Sequence, residues 1–254
     1  MSNELLTVVE EGMLVVTLNR PEARNAINRA AAQAIAEAME ELDSNPDLRL
    51  AIFTGGNDTF CSGMDLKAFL RGEAPVIKGR GFAGLCSATP KKPLIAAVEG
   101  FALAGGLEIA LACDLIVVAE DAKLGIPEAK RGLAAAAGGL MRLPRQIPYR
   151  VAMEMALTGE YMDARRAFDL GLVNRIVPHG GALEAARTLG RSIAANGPLA
   201  TAASKRVIVE SQDWFLNDMF SRQDAILDPV IKSEDAVEGA TAFAQKRAPN
   251  WKGR

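Results

Sequence analysis

The sequence predicts an α/β fold with a largely parallel, buried sheet, closed by a helical C-terminal segment. Three observations carry this. Short apolar and β-branched runs alternate with stretches of helical periodicity, the order expected of βαβ units. DLIVVA reads as a strand covered on both faces, as parallel strands are. Beyond NGP at residues 196–198 the strand signal fades and amphipathic helical patterns take over.

Taken in order, residues 4–10 and 13–18 are β-branched runs separated by Gly12 and read as a hairpin. NRPEARNAIN breaks the pattern, and Asn28 then stands as N-cap of a helix through RAAAQAIAEAMEEL. LRLAIFTGG reads as a strand ending in a glycine turn, and TGGNDTFCSGMDL as a loop leading into a helix that Asp65 caps. Residues 71–80 read as a mobile loop. PLIAAVEG is a strand with proline at its first position, where a missing N–H is tolerated. GGLEIALAC reads as a short helix, followed by the DLIVVA strand. LATAASKRVIVES, DWFLNDMFSRQDAIL and SEDAVEGATAFAQKR read as helices. The expected division is an α/β core over 1–197 and a helical region over 198–254. A segment of about 55 residues is small for a core of its own, so it is expected to pack on the α/β body or on a neighbouring subunit.

The composition narrows the function. With 24% charged and 49% apolar residues over 254 positions, the chain is an ordinary globular one. A net charge of −2 offers no basic stripe for nucleic acid. Cys61, Cys86 and Cys113 are widely spaced and make no CxxC, which points to reduced, buried thiols and to neither zinc nor a disulfide framework. The run VEGFALAGGLEIALACDLIVVA, residues 98–119, is apolar enough to raise a membrane span, yet Gly105-Gly106, Glu108 and Asp114 interrupt it. MSNELLTVVEEG lacks the basic-then-apolar order of a secretory signal. A cytoplasmic protein is expected, without membrane or nucleic-acid partners.

Three stretches can carry chemistry. Gly105-Gly106 opens a helix whose first turn contains Glu108. The opening N–H groups of a helix have no partner within it, and glycine lets a ligand oxygen reach them; equally, a glycine pair permits close helix–strand packing. No G-x-G-x-x-G or G-K-[ST] is present, so this is no dinucleotide or phosphate loop. The N–H groups near Ser62-Gly63 form a second possible donor site. In KLGIPEAKRGL, Glu128 follows Pro127: alone it reads as a helix-dipole partner, and with Glu108 it makes a carboxylate pair suited to acid/base work on a carbonyl compound. His179, the single histidine, lies in a PHGG turn outside these stretches and receives no catalytic role.

NRPEARNAI, TGGNDTFCSGMDL, PLIAAVEGFALAGGLEIALACD, KLGIPEAKRGL and GGLMRLPR, with the closing AFAQKRAPNW, resemble in combination and order the enoyl-CoA hydratase/isomerase, or crotonase, family over nearly the whole chain. The resemblance implies a crotonase-like spiral of ββα turns with a helical C-terminal trimerisation region, assembled as a homotrimer or dimer of trimers. It implies an acyl-CoA thioester as substrate, with no metal and no cofactor beyond that coenzyme. Glu108 and Glu128 are implied as the acid/base pair, and Ser62 and Gly105 as oxyanion donors. Arg24, Ala26, Gly63, Met64, Asp65 and Lys67 are implied to contact the coenzyme, with Lys246 or Arg247 reaching in from the C-terminal region. Hydration of a 2-enoyl-CoA is the expected reaction. A double-bond isomerase or a non-catalytic acyl-CoA binder is the alternative, and retention of both glutamates favours hydration. The chain departs from the family pattern at Ala104, which replaces the first glycine of a triplet. It departs again at Ala135–Ala137, Leu140 and Met141, where an acyl pocket wall gains apolar groups.

Overall fold

A computed structural model of the chain describes residues 4–56 and 58–254; Asn57 of the TGGNDTFCSGMDL loop lies outside the described residues. Leu5–Glu10 (β1) and Met13–Leu18 (β2) pair antiparallel across Glu11-Gly12, both at positive φ. Arg29–Ser44 (α1) starts where Asn28 Oδ1 accepts the Ala31 N–H at 2.8 Å, and buries Ala31, Ala32, Ile35, Met39 and Leu42 on one face. Leu50–Thr54 (β3) follows. Leu66–Leu70 (α2) is capped by Asp65, whose Oδ1 accepts the Ala68 N–H at 3.0 Å. The segment expected to be only a loop contains Val76–Ile77 (β4), which pairs with Gly81–Phe82 (β5) in a two-residue hairpin too short to leave a periodic signal.

Leu94–Val98 (β6), Phe101–Leu103 (β7), Gly105–Ala112 (α3), Leu115–Ala119 (β8) and Lys123–Gly125 (β9) carry the stretch that resembled a membrane span. Among the described residues no helix is long and apolar enough to cross a membrane. Gly139–Gln146 (α4), Tyr149–Thr158 (α5), Met162–Asp163 (β10), Ala164–Asp169 (α6), Arg175–Val177 (β11) and Ala182–Ala194 (α7) follow. From Pro198 onward the described elements are helical: Pro198–Glu210 (α8), a short 3-10 turn at Ser211–Asp213, Met219–Ile231 (α9) and Glu234–Gln245 (α10). The helix expected to begin at DWF starts later, because Trp214 is extended (φ −89°, ψ 142°) and ends the preceding turn.

The main sheet has the order β1-β2-β3-β6-β8-β11, parallel from β2 onward. Its residues alternate between two apolar clusters. Met13, Leu50, Ile52, Ile95, Ala97 and Val117 face α7, while Leu14, Val16, Ala51, Phe53, Ala96 and Val118 face the larger core with α1 and α3. Burial on both faces is why these strands read as continuous apolar runs.

A second sheet, β10-β9-β7, positions the site. β7 runs parallel to β9, and the loop before α2 lies along β7: Cys61 N–H donates to Phe101 O at 2.9 Å and Leu103 N–H donates to Cys61 O at 3.0 Å. One end of this small sheet therefore gathers three segments: residues 61–65, the β7-to-α3 junction, and the turn that leaves β9.

Candidate active site

α3 is buried along its whole length, and its glycines are what allow it to sit there. A Cβ on Gly106 would lie 2.1 Å from Cys61 O, and one on Gly105 would lie 2.5 Å from Phe82 Cζ. The pair therefore permits close packing, and the Gly105 N–H is left without an acceptor among the described residues. Ala104, just before it, holds φ 53° and ψ −129°, backbone that glycine adopts more readily than alanine, at a cost of about 1–3 kcal/mol.

Glu108 is 3% exposed. Its Oε1 accepts the Ala137 N–H at 2.7 Å and the Gly139 N–H at 2.8 Å, so the carboxylate sits at the positive end of α4. Burial pushes its pKa up, and these N–H groups and the charge of Arg142 only partly oppose that rise. Glu128 lies in the 3-10 turn Pro127–Arg131 that follows β9. Its pKa is pushed up to about 7, first by burial and further by the Glu108 charge. Its Oε2 is buried and has no hydrogen-bond partner. The two glutamates thus differ in their contacts: Glu108 Oε1 is held by two N–H groups, whereas Glu128 keeps a buried oxygen without a partner.

The second donor position needs a correction. Ser62 N–H donates to Arg24 O at 3.1 Å and is already in use. Two residues on, Met64 forms a parallel bridge with Ile27, in which Ile27 N–H donates to Gly63 O at 2.8 Å and Asp65 N–H donates to Ile27 O at 2.9 Å. The Met64 N–H itself meets no acceptor among the described residues. Gly63, at φ 98°, lies so close to the start of α3 that a Cβ on it would be 3.0 Å from Gly105 N. The unused N–H groups of Met64 and Gly105 are therefore brought together where Ser62 and Gly105 were expected.

The 61–65 loop is held by a polar knot that the sequence reading missed. Asn25, at φ 54° and buried, donates through Nδ2 to Gly55 O and Thr59 O, each at 2.7 Å. Arg20 donates to Asp65 Oδ2 at 3.0 Å and to Ala26 O. Burial would raise the Asp65 pKa, but the Ala68 N–H and Arg20 outweigh it and hold the carboxyl below its usual value. Asp65 is thus a cap and an ion-pair partner. Arg24 and Lys67 flank the same loop and form no ion pair among the described residues. Arg247 is taken up by Glu238, with hydrogen bonds of 2.6 and 2.9 Å, and Lys246 ends α10 at φ 53°. Leu140 and Met141 are largely exposed on α4.

Glu108 and Glu128 interact through charge, and Glu108 stands in the first turn of the helix whose opening N–H, that of Gly105, meets no acceptor among the described residues. The chain matches the family described as enoyl-CoA hydratase/isomerase over residues 9–254 and belongs to it. It is an enzyme of that family and has its crotonase-type α/β fold. The chain is 55% identical to an enoyl-CoA hydratase of known structure from Mycobacterium tuberculosis, with a TM-score of 0.98 and full coverage of both chains. It is 42% identical to a carnitinyl-CoA dehydratase from Salmonella typhi, over 99% of this chain and 100% of that protein. A carnitinyl-CoA hydratase structure from Mycobacterium avium is also 42% identical, with a TM-score of 0.79.

Proposed function

We propose that the protein is an enoyl-CoA hydratase that adds water across the 2,3 double bond of a 2-enoyl-CoA thioester. The observation that supports this best is the asymmetry of the two glutamates: Glu108 anchored by two N–H groups, and Glu128 raised to about 7 with a buried, unpartnered oxygen. The thioester oxygen lies between the N–H groups of Gly105 and Met64. Glu108 takes a proton from water, the water oxygen bonds to Cβ, and the π electrons move through Cα onto the thioester oxygen. The N–H pair stabilises that charge; loss of one such donor costs about 3–4 kcal/mol in comparable sites. Glu128 then delivers its proton to Cα as the carbonyl re-forms. Dehydration, the direction named for the Salmonella relative, is the same path reversed.

This route moves only protons and water, so it calls for no metal and no redox cofactor. Arg24, Ala26, Gly63, Asp65 and Lys67 lie on or beside the loop that holds the Met64 donor, where the coenzyme would enter. The helical region from residue 198 serves as the assembly surface of a homotrimer or dimer of trimers. Phe215, Leu216 and Phe243 support this, since they are 79%, 81% and 88% exposed. A cytoplasmic location is supported by three buried thiols, all unpaired.

An isomerase reading needs only one carboxylate, which removes and returns a proton. Turnover of 2-enoyl-CoA and 3-enoyl-CoA thioesters by the same preparation decides between them. Hydration of the 2-enoyl substrate should dominate, and rapid isomerisation with negligible hydration would overturn the proposal.

A further inference from the structure

Arg142 touches neither glutamate through an ion pair, yet it reaches the turn that holds Glu108. Its Nη2 donates to Cys86 O at 2.7 Å and its Nη1 donates to Ala137 O at 3.3 Å. Ala137 is the residue whose N–H grips Glu108, and Gly139, the other donor, is the first residue of the helix on which Arg142 sits. Gly138 between them holds φ 106°, and a Cβ there would lie 2.2 Å from Arg142 Nη1, so the guanidinium occupies the space a side chain would need. The same guanidinium ties this turn to the chain at Cys86, in the segment between β5 and β6.

We infer that Arg142 is a positioning residue for the proposed general base: it braces the 137–139 turn that grips Glu108 and brings a positive charge to its side. The inference rests on the proposed hydratase reading for the meaning of Glu108. The groups facing Glu108 are Glu128 from the turn after β9, Cys86 from the loop before β6, and Arg142 from α4. Cys86 is pushed up to about 12, chiefly by burial, and stays neutral. Glu128 is protonated below about 7. Arg142 is therefore the cation that adds to the Gly139 and Ala137 N–H groups in partly offsetting the burial of Glu108, and a base must be ionised to take a proton.

Charge and bracing separate in two variants of the full chain. Arg142→Gln removes the charge. It should lower kcat/KM for hydration about 100-fold at pH 6 and only about tenfold at pH 8, because Glu108 then stays protonated to higher pH. Arg142→Lys keeps the charge and loses the two-pronged brace. It should lose about tenfold at both pH values, with the acid limb unchanged. A readout independent of activity is the carbon-13 NMR titration of the Glu108 carboxyl, assigned with Glu108→Gln. Its midpoint should rise in Arg142→Gln and hold in Arg142→Lys. If wild type fails to hydrate, the functional reading falls while this titration still tests Arg142. An unchanged midpoint in a folded Arg142→Gln protein would overturn the inference. So would equal shifts in both variants, or failure of both to fold, which would assign Arg142 to the fold alone.

Discussion

Glu99 and Glu108 come from one stretch of chain, are 2% and 3% exposed, and each has its carboxylate gripped by two backbone N–H groups. Glu99 accepts from Gly180 N–H at 3.0 Å and Ala182 N–H at 2.8 Å, and so ties the start of α7 to the end of β6. Opposite it stand His179 and Asp121, both more than half exposed, with His179 Nδ1 3.1 Å from Asp121 and 3.6 Å from Glu99. Glu108 instead interacts through charge with a second acid, the half-buried Glu128, whose Oε2 is buried and without a partner. Burial and satisfied hydrogen bonds are therefore common to a glutamate that ties two elements together and to one proposed to react. What separates them is the unsatisfied chemistry facing the second one.

The largest expected effect tests that separation directly. Glu108→Gln should lower kcat for hydration by about 10²–10⁴-fold, the range for loss of a positioned acid or base. Glu99→Gln should leave kcat within about twofold and lower stability by about 1–3 kcal/mol, since an amide nitrogen can then face N–H groups that want an acceptor. Steady-state rates and denaturant melts on both variants check this. Equal losses of activity would erase the distinction.

Glu128→Gln should cut turnover by about 10²–10³-fold. It should still bind an acyl-CoA within about tenfold of wild type, because the proposed oxyanion donors are backbone groups. Titration calorimetry that found binding abolished with the fold intact would remove Glu128 from this site.

The pH dependence sharpens the contrast within the pair. Activity should fall as pH rises through about 7, where Glu128 loses its proton. Stability should follow the same group. Its folded pKa of about 7 exceeds its ordinary 4.5, so its contribution is fully present below 4.5 and lost as pH rises through 7. Glu128→Gln should consequently be more stable than wild type at pH 8, by about 1–2 kcal/mol, with no gain below pH 4.5. A variant less stable than wild type at pH 8 would contradict the cost assigned to that carboxylate.

Much of this architecture was legible because it follows periodicities and caps longer than one turn. The β1–β2 hairpin, the Asn28 and Asp65 caps, the buried helix at Gly105 and the parallel strands all leave such signals. The small sheet that gathers the site does not: β7, β9 and β10 have three, three and two residues, too few for any period to show. That the Ser62 N–H is taken and the Met64 N–H left unused has a related cause. Gly63, at φ 98°, breaks the alternation of N–H directions between the two, and only the Arg24 and Ile27 carbonyls reveal which N–H groups are taken. Asn25 carried a faint signal, since asparagine tolerates positive φ, but its three-way tie between loops exists only in the folded chain.

The central claim is that Glu108 activates water while Glu128 handles the proton at Cα, and one paired assay tests it most directly. On a single 2-enoyl-CoA thioester, loss of the enone absorbance reports hydration, and on the matching saturated thioester, deuterium uptake from solvent at Cα reports proton exchange. Glu108→Gln should lose hydration by about 10²–10⁴-fold and retain slow exchange through Glu128. Normal hydration by Glu108→Gln would contradict the account.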